Sequence, residues 1–203
     1  VLQAQNLCLT KANGIDQLKD ISLTLQEGEI VGIAGVSGNG QSELLDVLSG
    51  ITAPTGGSFR VGTSKITAQQ PSDPAQLRSL GVAHVPEDRH KCGIILPFSA
   101  AESMILGYSS GDEQNGGWWL SPSELETNCA DRMQDFDIRP PIPKLTSANF
   151  SGGNQQKIVL AREISTQPKL LLVGQPTRGV DIGAIEFIHK QLIALRNEGC
   201  GIL

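Results

Sequence analysis

The segment Gly35-Val36-Ser37-Gly38-Asn39-Gly40-Gln41-Ser42 constrains this chain more than any other. It follows a short apolar run at residues 29–34 (EIVGIA) and opens an amphipathic stretch at 41–48, where Leu44, Leu45, Val47 and Leu48 recur at helical spacing before Ser49-Gly50 supplies a stop. A strand, a glycine-rich loop and a helix in that order form a phosphate cradle: glycines let successive backbone N–H groups face inward, and the helix presents its positive end. The segment fits the pattern G-x-x-x-x-G-K-[ST] at every fixed position except the lysine, which is Gln41 here. Ser42 keeps the hydroxyl that ligates Mg2+ in such loops. Glutamine can donate a hydrogen bond but brings no charge. The missing ammonium contact is worth about 1.5–3 kcal/mol, so nucleotide should bind weaker by roughly one to two orders of magnitude.

Elsewhere the pattern alternates strands with helices, which implies an α/β core. Strands are expected at 57–62 (GSFRVG) and 81–85 (GVAHV), with a brief helix after the turn that opens at Pro71. Residues 97–149 change character: helix-like SAAESMILGY, a turn through Asn115-Gly116-Gly117, a second helix over 123–135 and a proline-rich exit, RPPIPKL. This reads as an inserted helical lobe, leaving 1–96 and 150–203 as the core. A helix is expected from Ser151 through 164, then a buried parallel strand at 169–173 (KLLLV), since an unbroken apolar run suits a strand covered on both faces. The last helix, 181–197, carries Ile185, Ile188, Leu192 and Leu195 on one face.

With 203 residues, 39% of them hydrophobic, the chain can bury one full core and a smaller lobe. Its net charge of −5 provides no counterion-releasing footprint, which argues against nucleic acid as a partner. No run approaches the roughly 18–20 apolar residues that span a bilayer, and the start has neither a basic leader nor a cleavage site. Cys8, Cys92, Cys129 and Cys200 form no C-x-x-C pair, so buried, reduced thiols are expected rather than zinc or disulfides. His84, His90 and His189 show no ligand spacing. The lack of an initiator Met and the stop inside an apolar segment suggest a piece of something larger.

Three further strings carry a resemblance. Phe150-Ser151-Gly152-Gly153-Asn154-Gln155-Gln156-Lys157 opens a helix that Ser151 can cap, with two glycines that permit close backbone approach to an anion. Val85-Pro86-Glu87-Asp88-Arg89 follows a strand, and Pro176-Thr177-Arg178-Gly179-Val180-Asp181 lies just beyond KLLLV. The first closely resembles the ABC signature in its variant LSGGNQQK, and together the strings resemble the second nucleotide-binding domain of tandem ABC ATPases that serve sugar and nucleoside importers. The likeness covers nearly all of the chain and leans toward the nucleoside type.

The resemblance implies a P-loop ABC-type core with a mixed or parallel sheet, an antiparallel N-terminal β subdomain and an inserted helical subdomain. It implies ATP and Mg2+ as cofactors, held by Gly35, Ser37, Gly38, Asn39, Gly40, Gln41, Ser42 and Glu87, with Ser42 on the metal. Glu87 stands where a metal-contacting Gln is usual. The family's metal-holding Asp and water-polarising Glu fall at Gly174 and Gln175, and the D-loop with Gly179 and Asp181 pins that alignment. Gly174 has no oxygen for a metal shell, and Gln175 cannot take a proton as a carboxylate can. No aromatic residue precedes Phe59, so the adenine-stacking aromatic is missing too. The domain by itself is therefore expected to hydrolyse ATP weakly or not at all. Ser151, Gly152, Gly153, Asn154 and Gln155 would instead close over ATP held by a partner domain, expected in the same polypeptide. Two membrane permeases, with a substrate-binding lipoprotein behind them, complete the implied assembly at the cytoplasmic face of the membrane. Trp118-Trp119 could grip a permease or simply pack the lobe. A soluble ABC ATPase without permeases, and a nucleotide-sensing scaffold without hydrolysis, remain the alternatives.

Overall fold

The computed structural model describes residues 1–36, 38–108 and 121–203, and its chain divides into two compact units. The first comprises residues 1–87, 167–174 and 190–203, the second 88–166 and 175–189. Ser37 and Trp118-Trp119 lie outside the described residues.

The first unit holds two sheets. Strands β1 (Leu2–Thr10), β2 (Asp16–Leu25), β3 (Gly56–Val61) and β4 (Ser64–Thr67) form an antiparallel sheet in the order β2-β1-β3-β4. On β1 the buried residues are Leu2 and Ala4, then Leu7 and Leu9, a pattern that breaks strict alternation. The break is resolved at Asn6, where the backbone takes φ 49° and the register shifts. The extra residue lets both apolar pairs face inward, as a bulge does. Gly57, at φ 70°, sits against the bulge, and a Cβ there would collide with the Asn6 carbonyl.

The second sheet is parallel, β5 (Val82–Val85), β6 (Leu170–Val173) and β7 (Gly201–Ile202) in that order. Leu170, Leu171 and Leu172 on β6 are wholly buried, as the unbroken KLLLV run predicts. The strand expected at 29–34 shrinks to one bridge, Ile30 with Ile202, flanked by bonds from Val31 N and to Glu29 O. Residues 32–36 are exposed and irregular. Among the described residues no other strand pairs with this run. Helix α1 (Gln41–Leu48) lays Leu44, Val47 and Leu48 into a core shared with Leu25, Phe59, Leu170 and Leu203. Helix α2 (Pro74–Ser79) is capped by the Asp73 carboxylate, and Pro74 sits in its first turn, where a missing N–H costs nothing.

The second unit is helical. Helix α3 (Ala100–Ser103) covers only the start of the expected SAAESMILGY helix; Gly107 at φ 86° lies in the turns that follow. Helix α4 (Pro122–Asp135) matches expectation. Both carry capping boxes, Ser99 with Glu102 and Ser121 with Glu124, each serine holding its glutamate's pKa below the ordinary value. Helix α5 (Gly152–Ile164) is buried nearly all round and packs on α3, α4 and the π-turn at Arg89–Gly93. The compact units place α5 with α3 and α4. Helix α6 (Ile182–Asn197) belongs to both units, with Ala184 and Ile188 buried in the second and Leu192 and Leu195 in the first.

The cysteines divide in a way the sequence did not suggest. Cys129 and Cys200 are buried, with burial pushing their thiols up to about 12 and about 11, whereas Cys8 is half-buried and Cys92 exposed. Alkylation of the native protein near neutral pH should therefore modify Cys92 first and spare Cys129 and Cys200 until unfolding. Mass spectrometry of a labelling time course checks this; early modification of Cys129 would contradict it.

Candidate nucleotide site

In the first unit, the phosphate loop turns through Gly38 (φ 88°) and Gly40 (φ 98°), and Gly40 caps α1 in a left-handed conformation. Only glycine suits position 40, since a Cβ would lie 2.8 Å from the Gln17 carbonyl. Asn39 N donates to Val36 O at 3.2 Å, and Leu44 N donates to Gly40 O at 2.8 Å. Gln41 does not reach outward. Its amide folds back into the loop and donates to Val36 O at 3.3 Å, and a Cβ at Gly35 would collide with it. The side chain at the position of the motif's lysine thus makes a contact within its own loop.

Ser42 Oγ donates a short hydrogen bond to the Glu87 carboxylate. These two oxygens are suitable donors for a hard cation, so the residues present fit Mg2+ in part. Gly174 contributes none, and its surroundings have closed. A Cβ there would lie 2.8 Å from Leu45 Cδ1 and 2.9 Å from the Glu87 backbone nitrogen, while Gly174 N donates to Val85 O at 2.9 Å.

In the second unit, Ser151 is the N-cap of α5 and remains exposed. Its hydroxyl oxygen accepts from Asn154 N at 3.4 Å and from Asn154 Nδ2 at 2.9 Å, leaving its proton for an acceptor beyond the helix. Asn154 is held in turn by Arg139 N, which donates to its Oδ1 at 2.8 Å. Packing asks for glycine at 152 and 153. A Cβ on Gly152 would lie 2.7 Å from Arg89 Nη2 and 3.0 Å from the Gly179 carbonyl, and one on Gly153 would lie 3.0 Å from Asp181 Oδ2.

Gln155, the last of the signature residues, lies inside the helical unit. It is buried, donates through Nε2 to Ser147 O at 3.0 Å, and meets His90 Nε2 at 2.8 Å through Oε1. At helical periodicity the fourth residue after the cap turns toward the lobe, so Gln155 braces α5 rather than facing outward.

Gln175 is exposed at φ 42° and opens a turn in which Arg178 N donates to its carbonyl at 3.0 Å. Asp181 ends that segment by accepting from Ala184 N at 2.9 Å, capping α6. Asp88 accepts from Lys91 N and His90 N, which lowers its pKa, and so anchors the turn that carries Arg89. Arg89 has no role in the sequence reading, although it stands in the VPEDR string. Its guanidinium donates to Arg178 O at 3.1 Å and to Gln155 Oε1 at 3.5 Å.

The ABC transporter family model matches residues 18–178. The chain belongs to the ABC transporter family. Among relatives of this ABC chain, the nucleoside import ATP-binding protein NupA of Lactococcus lactis subsp. cremoris is 39% identical over the whole chain, which covers 40% of that protein. The guanosine import ATP-binding protein NupO of Bacillus subtilis is 37% identical, again over the whole chain and 39% of the relative. The glucose import ATP-binding protein TsgD13 of Haloferax volcanii is 39% identical, with 37% of it covered. The chain thus spans about two fifths of the curated relatives it matches. Solved ATP-binding cassettes share the fold: a dimeric post-hydrolysis form bound to ADP and phosphate superposes with a TM-score of 0.80 at 24% identity, over 98% of this chain and 84% of that one. A nucleotide-free cassette gives 0.78 at 20% identity, over 100% of this chain and 79% of that one.

Proposed function

We propose that this chain is the ATP-binding domain of an ABC importer for nucleosides or sugars, and that its main contribution is a signature surface offered to ATP in a partner domain. The observation that carries this reading is a contrast within the fold. At the chain's own nucleotide position Gln41 is turned into its loop and Leu45 and Glu87 crowd Gly174, whereas Ser151 stands exposed at a formed helix cap with a proton to donate. ATP with Mg2+ binds weakly at the chain's own site, where Ser42 and Glu87 hold the metal that screens phosphate charge. Hydrolysis there is negligible, because neither Gly174 nor Gln175 offers a carboxylate.

The partner domain belongs to the same polypeptide, in keeping with the part of each import relative that this chain leaves uncovered. Two permeases dock on the helical unit, where Ile95, Leu96, Phe98 and Ile142 are exposed on two segments joined by bonds from Ser147 N to Phe98 O and from Ala148 N to Leu96 O. Among the described residues no helix is long and apolar enough to cross a membrane, so attachment to the cytoplasmic face comes through the permeases, with a substrate-binding lipoprotein beyond them. Nucleic acid has no place in this assembly.

Ser151→Ala in the complete ATPase with its permeases should lower ATP turnover by about 100-fold, the scale for losing a donor aimed at developing charge. Gln175→Ala should leave turnover essentially unchanged. Steady-state phosphate release measures both, and undiminished turnover after Ser151→Ala would overturn the reading.

A further inference from the structure

We propose that Arg89 is a positioning residue that ties the 175–181 loop to the first turn of α5, so that both segments meet the partner domain as one piece. The inference rests on the reading of the α5 N-terminus as a clamp for the partner's ATP. Its geometry is a guanidinium fork shared between two acceptors on separate segments. One nitrogen donates to Arg178 O at 3.1 Å on the loop, and Nε donates to Gln155 Oε1 at 3.5 Å on the helix.

The surrounding residues are fitted to that fork. Gly152 leaves room for Nη2, and Gly179, at φ 67°, brings its carbonyl to within 3.0 Å of where a Gly152 Cβ would stand. Gly179 itself would place a Cβ 3.8 Å from Nη2 and 3.9 Å from Nη1. Gln155 is oriented from behind by Ser147 O and His90, and Asp88 fixes the turn from which Arg89 projects. Both segments are therefore held by one half-buried side chain, itself held at its root and at one acceptor.

Electrostatics gives the arrangement a second purpose. A cation beside the positive end of a helix is disfavoured on its own. The arrangement becomes favourable when an anion arrives at that end, so Arg89 is placed to gain from the phosphate that Ser151 is proposed to meet. Lysine cannot replace it, because a single ammonium lacks the planar fork that reaches two acceptors in fixed directions.

The test uses the complete ATPase with its permeases, carrying Arg89→Ala, Arg89→Lys or Ser151→Ala. It reads kcat and KM for ATP together with hydrogen exchange at the backbone amides of 178–184 and of α4. Both Arg89 variants should lower kcat by roughly 10- to 100-fold, the scale of a small misplacement of recognition groups, and neither should restore what the other loses. KM should stay within about twofold, the signature of an interaction realised in the transition state. Exchange should quicken at 178–184 and not in α4. Full activity in Arg89→Lys, or exchange quickened equally in α4, would overturn the proposal by reducing Arg89 to a general structural contact. If Ser151→Ala slows turnover while Arg89→Ala does not, the positioning role alone fails. If Ser151→Ala leaves turnover unchanged, the clamp reading beneath it fails.

Discussion

Arg162→Ala should cost the helical unit about 3–5 kcal/mol, the scale for removing one partner of a buried ion pair. Arg162 and Glu163 are 3% and 0% exposed, and Arg162 Nε donates to Glu163 Oε1 at 2.8 Å. Neighbours along a helix do not ordinarily face one another, so this contact needs outside support. Arg162 Nη1 provides it by donating to Gly93 O at 2.8 Å and Ser103 O at 3.2 Å, and Tyr108 donates to Glu163 Oε2 at 2.6 Å. Removing the guanidinium leaves a buried carboxylate without its counter-charge and two carbonyls without that donor. Against a total domain stability of about 5–15 kcal/mol, the loss takes a large share. Replacing both residues by apolar ones of similar volume should cost less than the single change, since burying two charges is itself expensive. Urea unfolding followed by far-ultraviolet circular dichroism measures both variants; a loss below about 1 kcal/mol for Arg162→Ala would show that the pair is not what holds α5 in place.

Two substitutions at the proposed nucleotide site should behave differently. Gln41→Lys should tighten Mg-ATP binding by roughly 10- to 100-fold, because the ammonium brings charge to the loop that the amide now only bridges internally. Gly174→Asp should bind nucleotide no better and should destabilise the first unit by about 1–3 kcal/mol, the range for forcing atoms into a packed interior. The new Cβ would meet the Glu87 backbone, at 2.9 Å from N and 3.1 Å from Cα, and backbone does not step aside as a flexible side chain can. Calorimetric titration gives the affinities and thermal unfolding gives the stabilities. A Gly174→Asp variant that is both stable and tighter-binding would show that the crowding around Gly174 is easily relieved.

Elements defined by local chemistry were legible in the sequence. Ser151 caps α5, Ser49-Gly50 ends α1, and the KLLLV strand is buried, because caps, glycine stops and unbroken apolar runs act over a few residues. What failed depended on distant partners. EIVGIA has strand composition but pairs only through the Ile30–Ile202 bridge, and SAAESMILGY keeps its capping box yet forms a single helical turn before the chain bends. The two pairs on β1 look like broken alternation until the Asn6 bulge and Gly57 are placed side by side. At the site, the departures at positions 41, 174 and 175 are read from motif spacing alone. The inward turn of Gln155 and the bridging role of Arg89 were not, since each depends on residues far along the chain.

The closing of Leu45 and Glu87 around Gly174 also bears on how such a domain can change over generations. A lineage that loses an acidic side chain can regain it by one substitution only while the vacated space stays open. Here the Glu87 main chain stands in that space, 2.9 Å and 3.1 Å from where the Gly174 Cβ would lie, so an aspartate at 174 would have to wait for a shift of the main chain at 87. If the proposed function holds, regaining an acidic group at 174 would require the main chain at 87 to move first.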